Sequence, residues 1–152
     1  MVQNIYYHCA PIRLGAGSVI ETGNWGRMFQ FHNWELVTIA KDYREIAYEY
    51  GRLKYAPHAP SRLNCVFVCE TEVDARNYSR QNSHTAVIHQ VELVDAASPL
   101  HHAKWSLLNL SVQDGISPFQ SLEQDIQCYW QGIPDTDVEV LIGGSVRVVR
   151  SF

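Results

Sequence analysis

The sequence has little that would staple, coordinate or anchor it. None of its four cysteines forms a C-x-x-C pair: Cys65 and Cys69 are separated by three residues, and Cys9 and Cys128 are remote from both. That spacing argues against a zinc site and a disulfide framework, so four buried, reduced thiols are expected. No apolar run approaches the roughly 18 residues of a membrane span. The opening Met1-Val2-Gln3-Asn4 has no basic n-region or apolar signal core, so a cytoplasmic protein is expected. Repeats, low-complexity tracts and linkers are missing too, which implies one domain over residues 1–152.

Positive charge is also scarce. The formal net charge is −4, so the surface as a whole is not built to hold nucleic acid by bulk attraction. There is no interleaving of aromatic and basic residues and no helix-turn-helix pattern. The charge is uneven, however. Residues 1–76 carry 8 Lys+Arg and 8 Asp+Glu, against 4 and 8 in residues 77–152. A phosphate-bearing ligand is therefore expected against the N-terminal half, where Arg13, Arg27 and Arg62 stand in loop-like contexts.

A composition of 46% hydrophobic and 18% charged residues is that of a globular chain with a real core. A first strand is expected over Asn4–His8, followed by a Gly-Asn-Trp-Gly loop at Gly23–Gly26. Asn33 is placed to cap a long helix. Along it Leu36, Ile39, Ala40, Tyr43, Ile46, Ala47, Tyr50 and Leu53 recur at helical spacing and mark the face expected to meet the core. "APHAPSR" ends this helix. "LNCVFVCE" reads as a buried strand and "TEVDARNYSRQ" as a short helix opened by Thr71. "TAVIHQVELV" is another strand, with Val87, His89, Val91 and Leu93 on one face. Residues 95–115 read as loop with partial order. Ser117-Pro118 caps a second helix running to about residue 131, with Leu122, Ile126, Tyr129 and Trp130 on its apolar side. "DVEVLIGGSVRVVRSF" reads as two strands joined by a Gly143-Gly144 turn. Strands and helices without regular βαβ alternation indicate an α+β fold.

Several motifs fail on inspection. "LGAGSVIETG" lacks the third glycine and the following helix of a dinucleotide fingerprint, and reads as a turn. His101-His102 has no third ligand at a suitable spacing, and adjacent side chains on an extended segment point opposite ways, so no metal is expected. Glu139 is different. In "TDVEVLI" the alternation places Asp137, Glu139 and Leu141 on one face and Val138, Val140 and Ile142 on the other. By itself that is two solubilising acids on a solvent-facing strand. A carboxylate fixed on a strand is also what stabilises an oxocarbenium-like sugar cation. One carboxylate suffices when the leaving group is already cationic, as the nicotinamide of NAD⁺ is.

His8, the "VFVCE" strand and the late "DVEVLI" strand occur in an order that resembles the ADP-ribosyltransferase superfamily. The start "YYHCAPIRLGAGSVIETG" is most similar to its histidine-type branch, which includes rifampin ADP-ribosyltransferase and DNA-modifying toxins. "GNWGR", "PSRL" and "YWQG" also look like an uncharacterised bacterial domain family assigned to that superfamily. The resemblance implies a split two-sheet α+β core with NAD⁺ as substrate in the cleft and no metal. It implies His8 as the ribose anchor, Phe67 in place of the usual tyrosine beside nicotinamide, and Glu139 as the catalytic carboxylate. Asp137 takes the acceptor-side position, where relatives carry Glu or Gln. Trp25 is then a wall of the cleft, and Arg27, Ser61 and Arg62 are candidates to reach the ligand. The acceptor is a protein, a nucleic acid, a small molecule or, for a glycohydrolase, water. A toxin or defence role with an antitoxin or immunity partner fits so compact a transferase. Two alternatives stand beside it: an NAD-binding module without catalysis, and a partner-binding domain with Glu139 as a surface acid.

Overall fold

The structure is a computed structural model, and it describes residues 4–31, 36–82, 86–109 and 114–152, with side chains described from residue 40 onward in the second of these segments. The expected cap at Asn33, the side chains of Leu36 and Ile39, and Thr85 lie outside the described residues. The fold is α+β, with two antiparallel sheets. One has the order β1 (Ile5–Ala10), β4 (Val87–Leu93), β7 (Val146–Ser151), β2 (Val19–Ile20). The other runs β3 (Val66–Val68), β6 (Val138–Ile142), β5 (Leu100–Lys104). The sheets touch where Tyr7 of β1 pairs with Cys69, just past β3, through reciprocal backbone bonds of 2.9 and 2.8 Å. Apolar residues from both sheets meet in one core: Tyr6, Val91, Val146 and Val148 pack with Val66, Val68, Val140 and Ile142.

Among the described residues, four helices cover the sheets. These are α1 (Asn24–Gln30), α2 (Leu36–Tyr55), α3 (Glu72–Asn82) and α4 (Pro118–Gln131). α3 buries Ala75 against Ile88 and Cys69, with Cys9 and Tyr7 alongside. α2 and α4 cover the second sheet, where Tyr48, Ile126, Tyr129 and Trp130 pack around Leu141 and Ala103. Local chemistry sets the helix starts. The Ser117 hydroxyl accepts from the Gln120 N–H at 3.2 Å, and the Thr71 hydroxyl accepts from the Asp74 N–H at 3.1 Å.

The long helix exists where its periodicity places it, but it is rotated. Of the expected core face, Ala40, Tyr43, Ile46, Tyr50 and Leu53 are exposed, with Tyr43 at 61% and Tyr50 at 71%, while Ala47 packs partly against the core. The buried face is Asp42, Glu45, Tyr48 and Gly51. Two things hold it there. A Cβ on Gly51 would lie 2.1 Å from the Ile126 side chain, so only glycine lets α2 approach α4 this closely. The Glu45 carboxylate is also drawn inward by a buried cation, described below. The apolar stripe left outside forms a groove with Leu63. Replacing Tyr50 and Leu53 together by lysine should therefore leave stability within about 0.5 kcal/mol, a melting shift of roughly 1–2 °C. A loss of many degrees would place the stripe in the core after all.

Other expectations are corrected. The Gly-Asn-Trp-Gly stretch is no loop: Gly23, at φ 87°, precedes α1, which begins at Asn24. Residues 95–115 contain β5 and a 3-10 turn at Trp105–Leu108. β3 spans only Val66–Val68, because Arg62–Asn64 forms a 3-10 turn before it. The terminal strands are not a hairpin. β6 and β7 belong to different sheets, and Gly143-Gly144 carries the chain between them. Side chains there would strike Pro99 and Ser98, at 2.7 and 2.2 Å from the added carbons, so the two glycines serve close packing. All four cysteines are free, but Cys128 is exposed and Cys9 only partly buried. Burial raises the Cys9 thiol to about 11, which keeps it protonated. No helix among the described residues is long and apolar enough to cross a membrane.

Candidate functional site

The site forms around a buried cation. Arg62 sits in the 3-10 turn before β3, capped by Ser61, whose hydroxyl accepts from the Leu63 N–H at 3.2 Å. The Arg62 side chain turns inward and is almost fully buried. An isolated buried charge is prohibitive, so it must be paired. Its Nε donates to Glu45 Oε2 of α2 at 3.0 Å, and its Nη1 donates to Glu139 Oε1 of β6 at 2.7 Å. The Tyr129 hydroxyl of α4 accepts from Arg62 and donates to Glu139 Oε1 at 2.6 Å. The guanidinium also stacks over Phe67, 4.8 Å from the ring centre. One cation thus joins β3, β6, α2 and α4.

Glu139 is therefore not a surface acid. It is 2% exposed and shares its face of β6 with Leu141, under α2 and α4. The strand alternation placed it correctly, but the face is internal. Asp137 does not stack beside it. β6 begins at Val138, and Asp137 stands before it at φ 52°, with its carbonyl accepting from the Trp105 N–H. That left-handed backbone breaks the period-two alternation one residue before the strand.

Electrostatics follow the pairing. Burial pushes the Glu45 carboxyl up, but the adjoining Arg62 and Arg44 guanidiniums more than offset this and hold it below the usual glutamate value. Burial also disfavours the Arg62 charge, but Tyr129, Glu139 and Glu45 raise its pKa well above the ordinary one. Burial raises the Tyr129 hydroxyl as well, so it stays protonated and able to donate to Glu139.

His8 lies across the seam between the sheets. Its Nδ1 donates to the Phe67 carbonyl at 2.7 Å, which leaves Nε2 as the unprotonated nitrogen. Burial lowers its pKa, with the Phe67 hydrogen bond opposing and His89, directly across the β1–β4 ladder, adding to the lowering. Burial lowers His89 and His101 in the same way. Three histidines kept neutral by the fold have a consequence for pH. The unfolded chain binds protons at the ordinary value of 6.5 while the folded chain resists. Stability is thus complete above about pH 6.5 and falls as pH drops toward the lowered values. The urea midpoint should be lower at about pH 5.5 than at about pH 7.5. An unchanged midpoint would mean the histidines titrate normally in the native protein.

The structure brings together Phe67, Arg62, Glu139 and Trp25, whereas His8 reaches only the Phe67 backbone and lines neither of the openings described next, where β1 contributes Tyr7 and Cys9 instead. Phe67 is the hub, bonded through its carbonyl to His8 and stacked on Arg62. Trp25, Arg62 and Phe67 all border one open cleft of about 420 Å³. A second, narrow opening of about 10 Å³ lies beside Glu139, between Tyr7, Phe67 and Tyr78. Phe67 and Tyr78 line both, so the two are separated by those side chains. Arg27 and Ser61 border neither opening and bond within their own segments or to α2. Arg27 is exposed and binds back to the Thr22 carbonyl and Asn24 at the start of its own helix. Ser61 caps its turn and donates to Glu49 at 2.8 Å. His101 and His102 do face opposite ways: one stacks on Trp130, and the other meets Glu70 at 2.9 Å.

Sequence reasoning missed Glu45, Lys41, Arg44, Tyr78 and the hydroxyl of Tyr129. Glu45 and Tyr48 lie three apart on the stripe opposite the apolar one, a signal present but outvoted by hydrophobicity. Tyr129 counted as apolar, and its polar tip was ignored.

No protein of curated function matches the chain. Residues 16–152 match the family described as "Protein of unknown function (DUF2441)", and the chain belongs to that family.

Proposed function

We propose that this chain is an NAD⁺-dependent ADP-ribosyltransferase with Glu139 as its cation-stabilising carboxylate. One observation carries the reading. Both hydrogen bonds to Glu139 land on Oε1, so Oε2 takes none among the described residues, and the carboxylate borders the opening beside Phe67. Arg62 and Tyr129 hold the group rigidly on β6, which is the preorganisation that electrostatic catalysis needs. His8 adds less: its Nδ1 is bound to the Phe67 carbonyl, and it lines neither opening, so a ribose would meet it only after the strand-end residues beside Phe67 shift.

In the reaction the bond from the ribose C1′ to the nicotinamide nitrogen breaks. The bonding pair leaves with nicotinamide, which departs neutral. The ribosyl cation that remains is stabilised by Glu139. An acceptor nucleophile then attacks C1′ and gives up its proton; if the acceptor is water, the products are ADP-ribose and nicotinamide. Substrate entry requires Phe67 and Tyr78 to move, since the opening at Glu139 is too small for a ribose.

A second reading has its own observation. Arg62 neutralises Glu139 as well as positioning it, and the carboxylate is almost fully buried. That favours a module on which the ion cluster only holds the fold together. Nicotinamide release from NAD⁺ by the pure protein, with and without cell lysate as acceptor source, separates the two. Release supports the transferase, and its absence from folded protein in both conditions supports the module.

A further inference from the structure

The 420 Å³ cleft outside Phe67 has a chemistry of its own. Its walls carry Lys41 and Arg44 from α2, Trp25 from α1, Asn82 from α3, and Asn109. No carboxylate is among the described residues that line it, and Glu45 and Glu139 lie behind the guanidinium of Arg62 that they hold. Arg44 is already oriented: its Nη2 donates to Glu45 Oε1 at 3.0 Å. The side chain is 19% exposed, so part of the guanidinium still faces the cleft. A guanidinium held at one end by a carboxylate and bordering the cleft with its remaining surface is oriented for an anion before one arrives. Lys41 stands one turn earlier on the same helix, is exposed and forms no ion pair among the described residues. Trp25 adds an aromatic surface, and Asn82 and Asn109 add amides able to both donate and accept. The size suits a small ligand.

We infer that this cleft binds the diphosphate of a nucleoside diphosphate unit, with Lys41 and Arg44 as its phosphate ligands. The inference rests on reading the cleft as a nucleotide site and replaces Arg27 and Arg62, which are spent on internal bonds. It does not depend on turnover at Glu139.

The test is calorimetric titration with ADP, adenosine and inorganic pyrophosphate. ADP should bind the wild type at least about tenfold more tightly than adenosine, the worth of one charge-assisted contact. Lys41→Gln and Arg44→Gln should each weaken ADP about tenfold and leave adenosine unchanged, with Arg44→Lys recovering part of the loss. Arg27→Gln should change nothing. The inference is overturned if ADP does not bind the folded wild type, or if it binds Lys41→Gln/Arg44→Gln as tightly as wild type. Lys41 is exposed, so its variant reports binding even if Arg44→Gln disturbs Glu45. ADP binding that needs both cations, in a protein that releases no nicotinamide, would end the transferase reading and leave this one standing. Release from limiting NAD⁺ that is undiminished in the double variant would do the reverse.

Discussion

Arg62→Met should cost about 3–5 kcal/mol and lower the urea midpoint by on the order of 2 M. The substitution strands Glu45 and Glu139 in the interior at 1% and 2% exposure, without the cation between them. Set against a typical total of roughly 5–15 kcal/mol, this is among the most damaging single changes available. Its pH dependence should be inverted. In the wild type the lowered Glu45 contributes stability above the ordinary glutamate value, and this is lost as pH falls below it. In Arg62→Met the stranded carboxyls bind protons more readily than in the unfolded chain, so acid relieves the defect and the two proteins converge toward about pH 5. Replacing Glu45, Arg62 and Glu139 together by Leu, Met and Leu should recover most of the loss, because no charge is then left unpaired. A single variant as stable as wild type would show that the cluster is not a dry ion network.

Glu139→Gln should lower nicotinamide release by roughly 10²–10³-fold, the usual effect of removing one preorganised electrostatic contact. Glutamine preserves the shape and an oxygen for Tyr129 and Arg62, while Glu45 still pairs with the guanidinium. The protein should stay folded, with a melting temperature well above that of Arg62→Met. Alanine is the weaker test, since it leaves Arg62 Nη1 and the Tyr129 hydroxyl short of an acceptor and mixes catalysis with stability. ADP binding should be the same in Glu139→Gln and wild type, which separates the carboxylate from the phosphate cleft. Release that survives intact in Glu139→Gln would remove Glu139 from the chemistry.

Much of the architecture was legible in local signals. The caps at Thr71 and Ser117 start helices because a hydroxyl there meets an N–H that the helix itself cannot satisfy. The strands around Phe67, His89 and Glu139 stand where β-branched runs and alternation put them. Register then brought His8 and Phe67 within hydrogen-bond distance from positions 59 residues apart. The illegible part was orientation. Periodicity in α2 gives the spacing of Tyr43, Ile46, Tyr50 and Leu53, but which side of a helix meets the core depends on what waits there. Here a buried guanidinium and a glycine-sized gap faced Glu45 and Gly51. The Gly143-Gly144 hairpin failed for a similar reason. A local turn signal cannot report that Pro99 and Ser98 leave no room for side chains, or that the next strand pairs in the other sheet.

By itself the sequence determined an α+β chain, its long helix, its capped second helix and the alternation that puts Glu139 beside Leu141, because propensity, capping and period act between near neighbours. Only the tertiary structure decided that α2 turns its acids inward, that Asp137 leaves the strand face, and that Arg62 is an internal counterion while Arg44 faces the cleft. Those outcomes rest on charge pairing and close packing between residues far apart in the chain, where burial makes an unpaired charge too costly to leave.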